Sequence, residues 1–310
     1  MIEITQAGIQ STVQDLGRRG LRHLGVAQSG ALDAPALIMA NRLLGNAADA
    51  AGIEVALGPF GVRFLRDGWF ALMGADFDAE LDGEPVWSGW RYPARAGQRL
   101  LLRGCRHGMR AYLALAGGID APLALGARAT DLQAGLGGWM GRALEAGDRL
   151  PLGPAAALSG RLGRRNLAWS PALRALPGPE WRQFAREARQ AFSEGEWTVS
   201  SQSNRMGYRL QGDALAREAD GDLPSHGVLP GVVQAPPGGQ PIVLLADAQA
   251  TGGYPRIACV IEADLWKLAQ ARPGARLRFE MVDAQQAATA RARLRGYLQG
   301  QDWSQACRSI

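Results

Sequence analysis

Glycine fills 41 of the 310 positions, nearly twice the average usage of about 7%. The glycines interrupt short apolar stretches such as Val62 to Leu65, Trp69 to Met73, Leu100 to Leu102, Ala111 to Ala116 and Ile242 to Ala246. Most of these runs are four to seven residues long, the length of strands. A chain that turns this often is expected to be mainly β. One small element recurs as Ala96-Gly97-Gln98-Arg99-Leu100-Leu101-Leu102, as Ala146-Gly147-Asp148-Arg149-Leu150-Pro151-Leu152 and as Pro273-Gly274-Ala275-Arg276-Leu277-Arg278-Phe279. Each copy reads as a tight turn entering an alternating strand, which hints at a duplicated β architecture.

Few helices are expected. Asp33 caps one running from about Ala34 to Leu44, ended by Gly45-Asn46. A second starts near Pro179, with Trp181, Phe184, Ala185, Ala188 and Phe192 on one apolar stripe. A short third covers Ala263 to Ala271. A last one, from about Asp283 to Leu298, is rich in Ala, Arg and Gln. The segment Gly153 to Arg165 lacks periodicity and reads as a linker between two β domains.

Charge and composition remove several functions. The net charge of +5 is too small an excess for a nucleic-acid footprint. Of 34 basic residues only Lys267 is a lysine, and Leu268 follows it, so no G-x-x-x-x-G-K-[ST] phosphate loop exists. A biotinyl-lysine arm is not readable either. Cys105, Cys259 and Cys307 lie far apart, which argues against a disulfide framework or a zinc site. His23, His107 and His226 are scattered, and no metal site is expected. The N-terminal residues carry no signal pattern and no apolar run approaches 18 residues, so a soluble, cytoplasmic protein without membrane contact is expected. Gly135-Leu136-Gly137-Gly138-Trp139-Met140-Gly141 imitates a dinucleotide loop, but Ala146-Gly147-Asp148 turns the chain again before a useful helix fits.

Two C-terminal segments carry candidate chemistry. Ser200 to Leu210 gathers hydroxyls and amides around Asn204, Arg205 and Gly207, and Arg205 has the fork geometry to clamp a carboxylate or phosphate. In Leu244 to Pro255 an apolar strand delivers Asp247, Gln249, Thr251 and the Gly252-Gly253 pair. Asp247 suits a base or an orienting acid. Gln249 and Thr251 suit hydrogen bonding to an amide or carboxylate, and consecutive glycines let backbone N–H groups converge on an anion. The competing reading of both segments is ordinary polar turns. Between them, Ser225 to Pro241, with His226 and Gln234, is dense in Pro and Gly and forms a rigid loop able to wall a pocket. In the N-terminal half, Ser11 to Gly20 and Gly25 to Asp33 read as polar surface turns or as a face toward a partner or pocket.

Several of these motifs together resemble the allophanate hydrolase subunit 2 family, also called the biotin-dependent carboxyltransferase-like family. They are the run Gly8 to Gly20, Ser29-Gly30-Ala31-Leu32-Asp33, Ala116-Gly117-Gly118-Ile119-Asp120, Ser203-Asn204-Arg205-Met206-Gly207 and Asp247 to Pro255. The resemblance covers roughly residues 2 to 288. Within the family, Ser201 to Gly212 and Leu229 to Asp264 look most like the branch that works in bacterial ATP-dependent 5-oxoprolinases. The resemblance implies two cyclophilin-like β-barrel domains, here 1–155 and 166–288, with 289–310 as a helix or tail. It implies ring opening of 5-oxoproline to glutamate coupled to ATP hydrolysis, ATP being a co-substrate accompanied by magnesium. It implies two partners, 5-oxoprolinase subunits A and B, the second of them kinase-inhibitor-like. On that reading Arg205 holds an anionic group. Asp247 and Gln249 address the lactam or its water. Thr251, Gly252, Gly253 and Tyr254, with Asn204, Gln234 and His226, bind substrate or phosphate. Many members have Asp at position 204 and Thr at position 250, so Asn204 receives no base role. Alternative activities are the carboxyltransferase portion of a urea carboxylase and a non-enzymatic antagonist of a kinase-inhibitor-like partner.

Overall fold

The computed structural model describes residues 1–218 and 223–300, and Cys307 lies outside them. The protein is mostly β. Its contacts group Met1–Arg18 with Ser29–Ala168 in one unit, and Arg19–Gln28 with Trp169–Tyr297 in another.

The first unit carries β1 (Ile2–Gln6), β2 (Gln10–Gln14), α1 (Ala34–Leu43), β3 (Gly52–Ala56), β4 (Phe60–Phe64) and β5 (Gly68–Leu81), followed by β6 (Glu84–Val86), β7 (Trp90–Ala94), β8 (Arg99–Leu115) and β9 (Arg149–Leu150). They form one nine-stranded sheet in the order β2-β3-β8-β4-β1-β9, with β5 beside β8 and joined to β6 and β7. The expected many short strands are present, but β5 and β8 are longer, with 14 and 17 residues. Leu100 to Leu102 and Ala111 to Ala116, read as separate strands, belong to one strand and its C-terminal end. The sheet buries Ile2, Ile53, Phe60, Val62, Phe70, Leu72, Leu100 and Leu113 in a continuous apolar core. Each such side chain stabilises the fold by about 1.5–3 kcal/mol.

The helix expected from Ala34 is present. The Asp33 carboxylate accepts from the Ala36 N–H at 3.0 Å, and proline stands in the first turn, which satisfies a donor that the first turn leaves open. Gly30 permits a backbone contact beside it. Its φ is +90°, and a Cβ there would meet the backbone of Leu16 and Gly17 at 2.7–2.8 Å. Asp15 and Arg18, read as surface turn, are buried. The Asp15 carboxylate accepts from the Gly17 and Arg128 N–H groups, and Arg18 donates to the carbonyls of Ala124 and Ala129. The stretch read as a linker runs along this unit. Arg91 donates to the carbonyls of Ser159 and Gly160, and Trp90 bridges to Gly163. The dinucleotide-like glycines 135–141 form bridged turns without a helix.

The second unit is a closed barrel. Its elements are β10 (Ala172–Pro177), α2 (Arg186–Glu194), β11 (Trp197–Val199), β12 (Gly207–Gln211), β13 (His226–Gly227), β14 (Val232–Gln234), β15 (Ile242–Leu244), β16 (Thr251–Gly252), β17 (Arg256–Val260), α3 (Leu265–Gln270), β18 (Arg276–Met281) and α4 (Ala284–Gln299). The barrel closes as β10-β17-β14-β15-β12-β11-β18, while β13 and β16 form a separate ribbon. Closure leaves no free sheet edge. Leu173, Tyr208, Val233, Val243, Ile257, Leu277 and Phe279 are buried, and Phe192 of α2 stacks on Phe279 at 4.3 Å between ring centroids. The helix expected from Pro179 is two pieces. A 3-10 turn spans Trp181–Gln183, Phe184 is extended and bridges to Arg217, and only then does α2 begin. α3 is preceded by a 3-10 turn at Glu262–Asp264, so the expected Ala263–Ala271 helix is shorter. α4 buries Ala290 against Ile261 and Ala263.

Ion pairs tie the barrel strands to their flanking turns. Asp264, fully buried, accepts from Arg174 Nε at 2.9 Å and Nη2 at 2.6 Å, and Lys267 Nζ stands 3.2 Å from it. Lys267 also donates to the Ala172 carbonyl at 2.7 Å, so the single lysine is built into the barrel wall. Glu180 accepts from the Arg256 backbone, from its Nε at 2.9 Å and from its Nη2 at 2.7 Å.

Candidate active site

The residues singled out between Asn204 and Tyr254 all fall in the second unit. None of them lines an apolar groove of about 580 Å3 in the first unit, walled by Phe64, Trp69 and Leu158.

β12 and β15 pair with Gly207 opposite Leu244, which sets the loop before β12 beside the loop after β15. The Leu245 N–H donates to the Met206 carbonyl and the Asp247 N–H to the Arg205 carbonyl at 3.1 Å. These bonds place the two side chains face to face. Arg205 Nε donates to Asp247 Oδ2 at 2.8 Å and Nη2 to Oδ1 at 3.0 Å, and both side chains are 4% exposed. A bidentate pair at this depth has strong mutual attraction and a high desolvation cost. The expected anion clamp and the expected acid thus meet each other. Asn204 sits outside this pair. Its Oδ1 accepts from the Met206 and Gly207 N–H groups at 2.8 and 3.4 Å, turning the chain into β12.

The other candidates gather around the β13–β16 ribbon. His226 pairs with Gly252, and Gly227 with Thr251. His226 Nδ1 lies 2.9 Å from the Pro224 carbonyl, which makes it the donor there, while its Nε2 is buried without a partner. Gln234, 2% exposed, lies against Gly252, where a Cβ would come within 2.7 Å of its Nε2. That nitrogen donates to the Tyr254 carbonyl at 3.5 Å. A side chain at Gly252 would have to displace this carboxamide. Thr251, Gln249 and Tyr254 present exposed side chains.

Arg22, from the Arg19–Gln28 excursion, joins the two groups. Its Nε and Nη2 donate to the Val228 carbonyl at 3.2 and 2.8 Å, Nη1 to the Ala248 carbonyl at 3.3 Å and Nη2 to the Gln249 carbonyl at 2.7 Å. Burial pushes its pKa down from the ordinary arginine value. Sequence reading passes from Gly20 to Gly25 and misses this residue. One arginine among 33 carries no local mark of a partner more than 200 positions away. Among the described residues no group of three or more His, Cys, Asp and Glu is arranged to hold a metal ion. No described helix is long and apolar enough to cross a membrane.

The family model for the carboxyltransferase domain, subdomain A and B, matches residues 24–281, a span that contains every candidate from Asn204 to Tyr254. The chain belongs to this carboxyltransferase domain family. Within it, the 5-oxoprolinase C subunit of Escherichia coli is 52% identical over 98% of this chain and 98% of its own length. The protein of that name from Haemophilus influenzae is 44% identical over 96% of each. The crystal structure of Kluyveromyces lactis urea carboxylase superposes with a TM-score of 0.91 at 25% identity over 100% of this chain, which spans only 30% of that longer one. The carboxyltransferase-domain fold is thus shared with proteins bearing two different activity names, and the full-length likeness lies with the 5-oxoprolinase subunits.

Proposed function

We propose that this chain is the C component of an ATP-dependent 5-oxoprolinase, active with subunits A and B, that opens 5-oxoproline to glutamate. The observation that carries this reading is the 52% identity reaching across 98% of both chains. A five-membered lactam resists water because resonance protects its carbonyl. In the proposed sequence the γ-phosphoryl group of ATP, brought in with magnesium, moves to the lactam oxygen and ADP leaves. One water adds to the lactam carbon, and the C–N bond breaks with the nitrogen leaving as a protonated amine. A second water releases phosphate from the resulting acyl phosphate, leaving glutamate. The site has to hold a carboxylate, stabilise the transferred phosphoryl charge and position water.

In this chain Arg205 is the cation at the site, held in one orientation by Asp247. Gln249 and Thr251 are the exposed hydrogen-bonding side chains beside it, and Tyr254 offers a ring or hydroxyl at the rim. Gln234 and His226, beside Gly252, are the buried polar groups for the lactam edge. The Gly252-Gly253 amides and Asn204 support the phosphoryl side. With no phosphate-loop lysine in the sequence, ATP is bound by another geometry, shared with the kinase-inhibitor-like partner.

Co-purifying this chain with candidate subunits A and B, then measuring glutamate release from 5-oxoproline, tests the reading. ATP-dependent release is expected, and no turnover in any combination of the three components would sink it. Urea carboxylase is the second reading, favoured by its TM-score of 0.91. It requires biotin on another polypeptide, so avidin-sensitive carboxylation of urea would favour it instead.

A further inference from the structure

Two side chains flank Gly252 with acceptor atoms that no described residue uses. The first is Gln234. It ends β14, where the pairing with β17 shifts register between Val233 and Gln234. An irregularity of this kind re-aims a side chain. The carboxamide is nearly fully buried and lies over Gly252, with Nε2 2.7 Å and Oε1 3.5 Å from the position a Cβ would take there. Nε2 donates to the Tyr254 carbonyl. That bond fixes the amide orientation, because the reverse one would set two oxygens against each other. Oε1 accepts from no described residue.

The second is His226. Opposed residues of an antiparallel pair carry their side chains on one face, with Cβ atoms about 4.5–5.5 Å apart. His226 opposes Gly252, and the Gln234 carboxamide fills the Cβ side of Gly252. The imidazole and the carboxamide therefore share one face of the ribbon. A carbonyl only accepts, so Nδ1 carries the hydrogen directed at Pro224. In the neutral ring Nε2 is then an acceptor, and it is buried without a partner.

Chemistry selects the ligand. Two acceptors on one face suit a group that brings its own hydrogens, and a buried acceptor left unmet is costly. Glu180, within electrostatic range of His226, is engaged at both carboxylate oxygens by Arg256. The acceptors that remain are uncharged, and they favour a neutral N–H over an ammonium group.

From this geometry we infer that Gln234 Oε1 and His226 Nε2 form an acceptor pair that reads a neutral amide N–H of the substrate. That this N–H is the lactam N–H of 5-oxoproline rests on the proposed function, whereas the acceptor pair does not. The pair determines specificity, since a site built to bond a substrate N–H rejects the analogue that lacks it.

The decisive probe is the γ-lactone analogue of 5-oxoproline, in which a ring oxygen replaces the N–H while the carbonyl and carboxylate stay. Calorimetric titrations of the full chain use 5-oxoproline, this lactone and urea in separate arms. The lactam is expected to bind at least about tenfold more tightly than the lactone. In isotope-labelled protein the His226 Nε2 resonance is expected to move with an N–H ligand and not with the lactone. Gln234→Leu is expected to bring the ratio of the two affinities toward one, whereas a merely structural role would weaken both ligands and leave the ratio standing. Equal affinity for lactam and lactone in wild-type protein, or a ratio that survives Gln234→Leu, would overturn the pair. So would a His226 ring silent toward every N–H ligand, even if the reconstituted assembly turns over, since the acceptors would then serve water only. Gln234-dependent binding of urea, with none of 5-oxoproline, would uphold the pair and defeat only the functional reading. Should Gln234→Leu not fold, the wild-type ratio and the His226 resonance still decide.

Discussion

A carboxylate gripped at both oxygens by a buried guanidinium is a poor free base and an effective strut. Asp247 and Arg205 stand in that relation, so removing one strips the other of a buried bidentate partner. Asp247→Ala is expected to cost about 3–5 kcal/mol of stability. Adding Arg205→Ala to it should cost less than the sum of the single changes, a coupling that urea unfolding of the four-member cycle measures. Full activity of an Asp247→Ala assembly would remove Asp247 from the mechanism. Two other carboxylates contribute to behaviour in acid. The Arg256 hydrogen bonds hold Glu180 below the usual carboxylate range against the opposing effect of burial. For Asp264, burial pushes upward but is outweighed by hydrogen bonds from Arg174 and by the charge of Lys267. A folded pKa below the unfolded value means the contribution is complete above roughly pH 4 and is lost as pH falls through the folded value. Glu180→Gln and Asp264→Asn should each flatten the acid limb of unfolding free energy against pH. An unchanged limb would show that these pairs contribute nothing there.

Elements were legible where the local signal and the tertiary contact agree. α1 has its cap, its proline and its apolar face in sequence, and the structure uses all three. Asp33→Ala should lower stability by about 0.5–2 kcal/mol, readable as a lower denaturation midpoint with an unchanged slope. The helix expected from Pro179 was not legible, because the spacing of Trp181, Phe184, Ala188 and Phe192 is what one continuous helix would produce. The interruption comes from Phe184 bridging to Arg217, a partner no local pattern announces. β8 escapes for a related reason. Leu100, Leu102 and the C-terminal part are buried, but the middle, Arg103 to Met109, is half-buried to exposed and mostly polar, so apolar periodicity breaks one strand into two. The Gly-Gly turn after β15 was legible as a site, since an apolar strand ending in Asp, Gln and Thr is visible in a short window. Arg22, which organises that turn, was not.

At the scale of the whole molecule, the single lysine changes its meaning between sequence and structure. In sequence it removes phosphate loops and biotinyl arms. In the barrel its side chain is 11% exposed and its ammonium is bonded to Ala172 and Asp264. Amine-directed acylation should therefore label Lys267 slowly in folded protein and readily after denaturation, as peptide mass mapping would reveal. Fast labelling of the native chain would contradict the bonding described for it.

The Arg19–Gln28 excursion also bears on heredity. The barrel is not a contiguous stretch of gene, since a cut near residue 168 would separate it from the arginine that organises its own loops. Recombination that moved the C-terminal half alone would deliver a barrel with Val228, Ala248 and Gln249 carbonyls deprived of their common donor. The piece that can be transplanted intact is the full chain, and the likeness to urea carboxylase does run over all of it.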